Sequence, residues 1–112
     1  MKVSTYKTEV TVIQFQARVD ASYVGSIRET LKELTRSNHD KFVVDLADTS
    51  FIDSQGLGIL VSLLRAARGV GGTVHLVNPS DEGVQRLFSV TKLDQVFEMF
   101  DTLNTALESF HV

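Results

Sequence analysis

The sequence predicts an α/β domain: a mostly parallel, mixed sheet of about five strands with about four helices. Three observations predict it. From residue 9 onward, short apolar runs alternate with apolar positions spaced three and four apart, the pattern of βαβ units. The front of the chain carries two β-type segments in a row, so one antiparallel strand should precede the parallel ones. The stretch Leu57–Ala67 is apolar on most faces, as in a helix buried against a sheet.

Val3 to Gln16 reads as two strands. The first, about Val3 to Lys7, is polar and suits an edge. In the second, Val10, Val12, Ile13 and Phe15 supply β-branched and aromatic residues. Thr8-Glu9 is the expected turn between them. Asp20 then precedes a helical pattern, Val24, Ile27, Leu31 and Leu34, and is placed to cap it. Arg28, Glu29, Lys32, Glu33 and Arg36 fall on the wetter faces of that helix, the usual place for charge.

Phe42, Val43, Val44 and Leu46 form an apolar run around Asp45, a mostly buried strand. A polar interruption and Phe51-Ile52 lead to the central helix. Either Asp53 or Ser54 is suited to cap it, because a short side-chain oxygen accepts from the free amides of a first turn. Gly56 and Gly58 lack Cβ, so something is expected to come close to the backbone there. Arg65 and Arg68 suit the negative end of the helix, and Gly69 is a fitting stop.

Gly71-Gly72 turns the chain into a strand, Thr73 to Val77. Asn78 as cap and Pro79 as first helical residue are expected to open a third helix, with Val84, Leu87 and Phe88 on its core side. Val96 to Phe100 reads as the last strand. Asp101 is placed to cap a final helix whose Leu103, Ala106, Leu107 and Phe110 share one side.

The 112 residues suffice for one domain, residues 1–112, with a modest core. A hydrophobic content of 43% argues for a folded chain. The net charge of −3, without a basic tract, argues against direct nucleic-acid binding. The chain has no cysteine, which removes disulfides, thiolate metal ligands and thiol catalysis. No apolar run is long enough for a membrane helix, and the start does not read as a signal peptide, so a cytoplasmic protein is expected.

Ser54 has three readings. As a cap it satisfies amides. As a hydrolase nucleophile it would need a base and a Gly-x-Ser-x-Gly elbow, and the elbow is missing because Ile52 precedes Asp53. As a phosphate acceptor it needs only exposure and a partner kinase. Residue type alone favours the cap. Asp45, Asp48 and Asp53 form no recognisable metal-ligand set, and Gly56 and Gly58 lack the Gly-Lys-Ser/Thr ending of a phosphate-binding loop.

Asp45-Leu46 followed by Phe51-Ile52-Asp53-Ser54-Gln55-Gly56-Leu57-Gly58 resembles the signature of the STAS domain, in particular that of the bacterial anti-sigma factor antagonists. The later run Val84-Gln85-Arg86-Leu87-Phe88 with Thr91-Lys92-Leu93 is similar to the family's third helix and the loop after it. The resemblance covers essentially the whole chain. A protein that is not an enzyme and carries no cofactor or metal is expected. In that family the unmodified protein binds an anti-sigma factor and releases a sigma factor. The anti-sigma factor is a serine kinase of GHKL type, and the serine it phosphorylates corresponds to Ser54. A PP2C-type phosphatase reverses the modification. The partner surface implied here comprises Asp20, Ser22, Tyr23, Asp53, Ser54, Gln55, Gly56, Leu57 and Gly58, on a monomer or weak dimer. Three positions depart from the family pattern. Gln55 stands where many members carry a second Ser or Thr, and Ala17 and Lys92 stand where glycine is common. The alternative role is a STAS scaffold or accessory subunit of a stress-sensing or transport complex.

Overall fold

The computed structural model describes residues 1–37 and 39–111. Its main sheet has five strands in the order β1-β2-β4-β6-β7. These are β1 (Lys2–Tyr6), β2 (Val10–Gln14), β4 (Lys41–Asp45), β6 (Thr73–Val77) and β7 (Glu98–Phe100). β1 runs antiparallel to β2, and every other pairing is parallel. Four helices fill the connections and the C-terminus: α1 (Val24–Arg36), α2 (Ser54–Gly69), α3 (Glu82–Val90) and α4 (Leu103–Glu108). The mixed sheet and its four helices are those read from the sequence.

Two short strands escaped that reading. β3 (Arg18–Val19) and β5 (Phe51–Ile52) form a separate parallel pair in the register Arg18↔Phe51 and Val19↔Ile52. Two residues are too few for periodicity to reveal. This pair holds the entry to α1 against the entry to α2.

One face of the sheet, including Ile13, Phe42, Val44 and Leu76, packs on α1, α2 and α3 through Ile27, Leu60, Leu64 and Phe88. The other face, with Val10, Val12, Val43 and Val77, is covered by α4 through Ala106 and Leu107. α2 is buried along most of its length, at Leu57, Ile59, Leu60, Leu63, Leu64 and Ala67. Its chain reverses at Gly71, whose φ of 86° suits glycine.

Several boundaries differ from expectation, each for a local reason. The first turn centres on Lys7 and Thr8, both left-handed (φ 51° and 55°), so β1 ends at Tyr6. Asp20 does not cap α1. The residue before that helix is Tyr23, without a side-chain cap, and the Asp20 carboxylate turns back to the Ser22 amide at 3.1 Å and to Arg18 at 3.0 Å. α3 starts three residues after Pro79, capped by Asp81 rather than Asn78. The Asn78 amide is already bound to the Phe100 carbonyl at 2.7 Å, which holds that residue to β7. Asp101 accepts from Asn78 Nδ2, and Thr102 caps α4 instead. β7 is shorter than read because Leu93–Gln95 forms a 3-10 turn. Lys92 opens that turn at φ 61°, taking the left-handed backbone that glycine would supply.

Candidate functional site at the start of the central helix

Asp53 decides the geometry here. It is extended (φ −104°, ψ −175°), as a capping residue must be, and its Oδ1 accepts from the Gly56 amide at 2.9 Å. Its Oδ2 accepts from the Ala21 amide at 3.0 Å. One carboxylate therefore caps α2 and ties that helix to the loop before α1. The Gly56 amide, first, and then those of Ala21, Gln55 and Asp53 itself hold the carboxyl below the usual range, against a smaller opposing effect of desolvation.

Because Asp53 takes the cap, Ser54 is left as the first helical residue. It is exposed, and among the described residues its hydroxyl has no hydrogen-bond partner. Gln55 is exposed beside it. Gly56 is buried. A Cβ there would meet the Val19 carbonyl oxygen head-on and lie 2.7 Å from Ile52 Cγ1. The close approach expected at the glycines is thus real at Gly56, and its partner is this chain's own β3. At Gly58 nothing lies within 4 Å, and the helix surface there is open. Leu57 is 8% exposed and belongs to the core.

Of the loop residues, Ser22 and Tyr23 are exposed and sit next to Ala21, which Asp53 anchors. Asp20 is buried, held by Arg18. The structure therefore brings the two predicted segments together, with Ser22, Tyr23, Ser54, Gln55 and Gly58 outward and Asp20, Gly56 and Leu57 beneath them. Two surface residues were missed. Phe51 is 41% exposed, and the Arg18 guanidinium lies 4.3 Å above its ring. The signal was present as an aromatic residue inside an otherwise polar approach to the helix.

Among the described residues no base is hydrogen-bonded to the Ser54 hydroxyl. His39 is bonded to Thr11, and His75 to Ser109 and Glu98. Among the described residues no group of His, Cys, Asp and Glu is placed to hold a metal. No helix among them is long and apolar enough to cross a membrane. The arrangement offers an unengaged hydroxyl on the rim of a rigid turn, beside a carboxylate that already caps the helix.

The profile of the STAS domain family matches residues 2–106. The chain belongs to the STAS domain family. This STAS domain is 38% identical over 76 residues to a Thermotoga neapolitana protein provisionally named an anti-sigma factor antagonist, covering 68% of this chain and 66% of that protein. It is 29% identical over 87 residues to the anti-sigma-B factor antagonist of Bacillus subtilis, covering 78% of each. Its fold superposes with a TM-score of 0.78 on the phosphorylated form of the Bacillus cell fate determinant SpoIIAA, at 22% identity, over 97% of both chains. The family read from the Asp53-Ser54-Gln55-Gly56 motif is thereby confirmed.

Proposed function

We propose that this STAS domain is an anti-sigma factor antagonist switched by phosphorylation of Ser54, and is not itself an enzyme. The observation that carries the reading is the exposed, unpartnered Ser54 hydroxyl at the rim of a turn whose cap, Asp53, is already anionic. The unmodified face binds the anti-sigma factor through Ser22, Tyr23, Asp53, Ser54, Gln55 and Gly58. Asp20, Gly56 and Leu57 hold that face in shape from below. The exposed Phe51 ring with Arg18 over it adds an aromatic anchor of the kind that dominates interfaces. The partner is a serine kinase of GHKL type, and a PP2C-type phosphatase resets the switch. Both are drawn from the family resemblance, and the phosphorylated SpoIIAA structure shows that a relative of the same fold takes up phosphate.

Phosphate adds about −1.5 to −2 charge at neutral pH. At Ser54 it would stand beside the Asp53 carboxylate, which already occupies the Gly56 amide. The helix start thus has less to offer a second anion than a free first turn would. A docked partner would have to bury both charges. A penalty of roughly 3 kcal/mol lowers affinity more than a hundredfold, enough to exchange partners without any change of fold.

The test uses the cognate kinase and labelled ATP. Label should enter at Ser54 alone, Ser54→Ala should bind the anti-sigma factor without accepting phosphate, and Ser54→Asp should fold but fail to bind. Label at another residue, or full binding by Ser54→Asp, would end the proposal.

A further inference from the structure

α1 and α2 lie side by side, and between them runs a groove facing away from the sheet. Its floor is Leu31 from α1 with Ile59 and Leu63 from α2. On the α2 side the wall is made of short residues, Ser62 and Ala66. On the α1 side Arg28 and Lys32 stand along the rim. Neither cation is paired with a carboxylate among the described residues, and no acidic residue lines the groove. On a chain of net charge −3 this is a local reversal of sign.

We propose that this groove docks an acidic amphipathic helix of a partner protein. The cavity measures about 90 Å³. Small-molecule sites start at about 300 Å³, whereas a single leucine-sized side chain fits the space here. Arg28 and Lys32 are four residues apart on one helix, about 6 Å along its axis. Carboxylates at the same four-residue spacing on a partner helix would face both at once, with an apolar residue between them entering the groove. Ser62 and Ala66 let the incoming backbone approach closely, as helix pairs require. A second copy fits less well, since two-fold pairing through the groove would set the same cations against each other. A lipid surface also fits less well, since polybasic membrane segments use about four to eight cations.

The probes are two fluorescein-labelled helical peptides. One carries a leucine flanked by glutamates at i and i+4, and the other has lysine in place of each glutamate. Fluorescence anisotropy should show the acidic peptide binding and the lysine peptide at least about tenfold weaker, the discrimination expected of like charges in contact. Arg28→Glu with Lys32→Glu, both exposed positions, should invert that preference while the thermal melt stays unchanged. Ala66→Trp, which fills the groove without touching charge, should abolish binding of both peptides. Equal binding of the two peptides, or binding of neither, overturns the proposal. So does flotation with phosphatidylglycerol vesicles, or a dimer seen by sedimentation, if the double reversal abolishes it while the peptides do not bind. No anti-sigma factor enters the assay, so its failure leaves the Ser54 reading standing, and failure of the Ser54 test leaves the groove standing.

Discussion

Gly56 and Gly58 are two residues apart in one helix, and alanine should act on them in opposite directions. Each substitution gains helix propensity, worth about 1 kcal/mol relative to glycine. At Gly58 nothing opposes the gain, since a Cβ there meets no atom within 4 Å. At Gly56 the new carbon runs into the Val19 carbonyl oxygen and sits 2.7 Å from Ile52 Cγ1. The carbonyl is backbone, and it accepts the Asp53 amide at 3.3 Å, so it cannot yield without loosening β3 from the start of α2. Overpacking of this kind costs roughly 1–3 kcal/mol, and a weakened hydrogen bond adds about 1 kcal/mol. The net effect of Gly56→Ala is a loss of about 2 kcal/mol after the propensity gain is set against it. Unfolding entropy of about 2.1 cal/mol/K per residue over 112 residues makes each 1 kcal/mol worth about 4 °C. Thermal melts followed by circular dichroism should therefore show Gly58→Ala about 4 °C above the parent and Gly56→Ala about 8 °C below it. A Gly56→Ala melt at or above that of the parent would refute the claim that β3 is packed against bare backbone. The pair also separates stability from binding. Gly58 lies on the outward surface, so under the proposed function Gly58→Ala should weaken anti-sigma binding while stabilising the fold.

Four further outcomes follow from particular contacts. Asp53→Ala removes the cap and the tie to Ala21, and should lower the melting temperature by about 4 °C, with faster amide exchange at Ala21 and Gly56. Leu60→Ala, at a fully buried position of α2, should cost about 3–5 kcal/mol in urea unfolding, and a cost under about 1 kcal/mol would mean the helix is not seated as described. Ser54→Ala should melt within about 2 °C of the parent, because the hydroxyl holds nothing in the fold. His75 is 6% exposed, and burial pushes its pKa below the ordinary value of 6.5, against opposing pulls from Glu98 and the Ala106 carbonyl. The unfolded chain thus binds the proton more readily, so stability is full above about pH 6.5 and falls as pH drops from there toward the folded pKa. Urea midpoints at pH 7.5 and 5.5 should differ more in the parent than in His75→Gln, and equal differences in the two proteins would show that His75 is not the group responsible.

Sequence pattern and structure agree where many residues vote together. The run of β-branched residues from Val10 to Ile13, buried on both faces of the sheet, and the three-to-four spacing of Val24, Ile27, Leu31 and Leu34, with Ile27 and Leu31 buried, each repeat a signal several times. Agreement fails where one residue decides. Asp20, Asn78 and Asp101 are all of capping type and all sit before helices, yet none caps. Arg18 holds Asp20, the Phe100 carbonyl holds the Asn78 amide, and Asn78 in turn holds Asp101. Phe100 and Asn78 lie more than twenty residues from the residues they hold, so local sequence carries no trace of those two contests. Arg18 is only two residues from Asp20, and its claim on that carboxylate shows only once β3 fixes the backbone. The two-residue strands β3 and β5 are invisible for a related reason, since they are defined only by each other.

The same kind of contest gives the candidate site its chemistry. Asp53 and Ser54 are both able to cap α2, and the sequence leaves the choice open. The loop before α1 breaks the tie, because its Ala21 amide donates to Asp53 Oδ2 while the Gly56 amide of α2 donates to Oδ1, so that both oxygens of that residue are engaged. Had Ser54 been the cap, its hydroxyl would be committed to an amide and a phosphate there would undo the start of the helix. With Asp53 as the cap, the hydroxyl next to it is spare, exposed and free of structural duty, so a modification of that oxygen changes the surface and leaves the core alone. The loop thus does two things at once: it presents Ser22 and Tyr23 outward beside that hydroxyl, and by occupying Asp53 it leaves Ser54 unengaged, as the proposed phosphorylation requires.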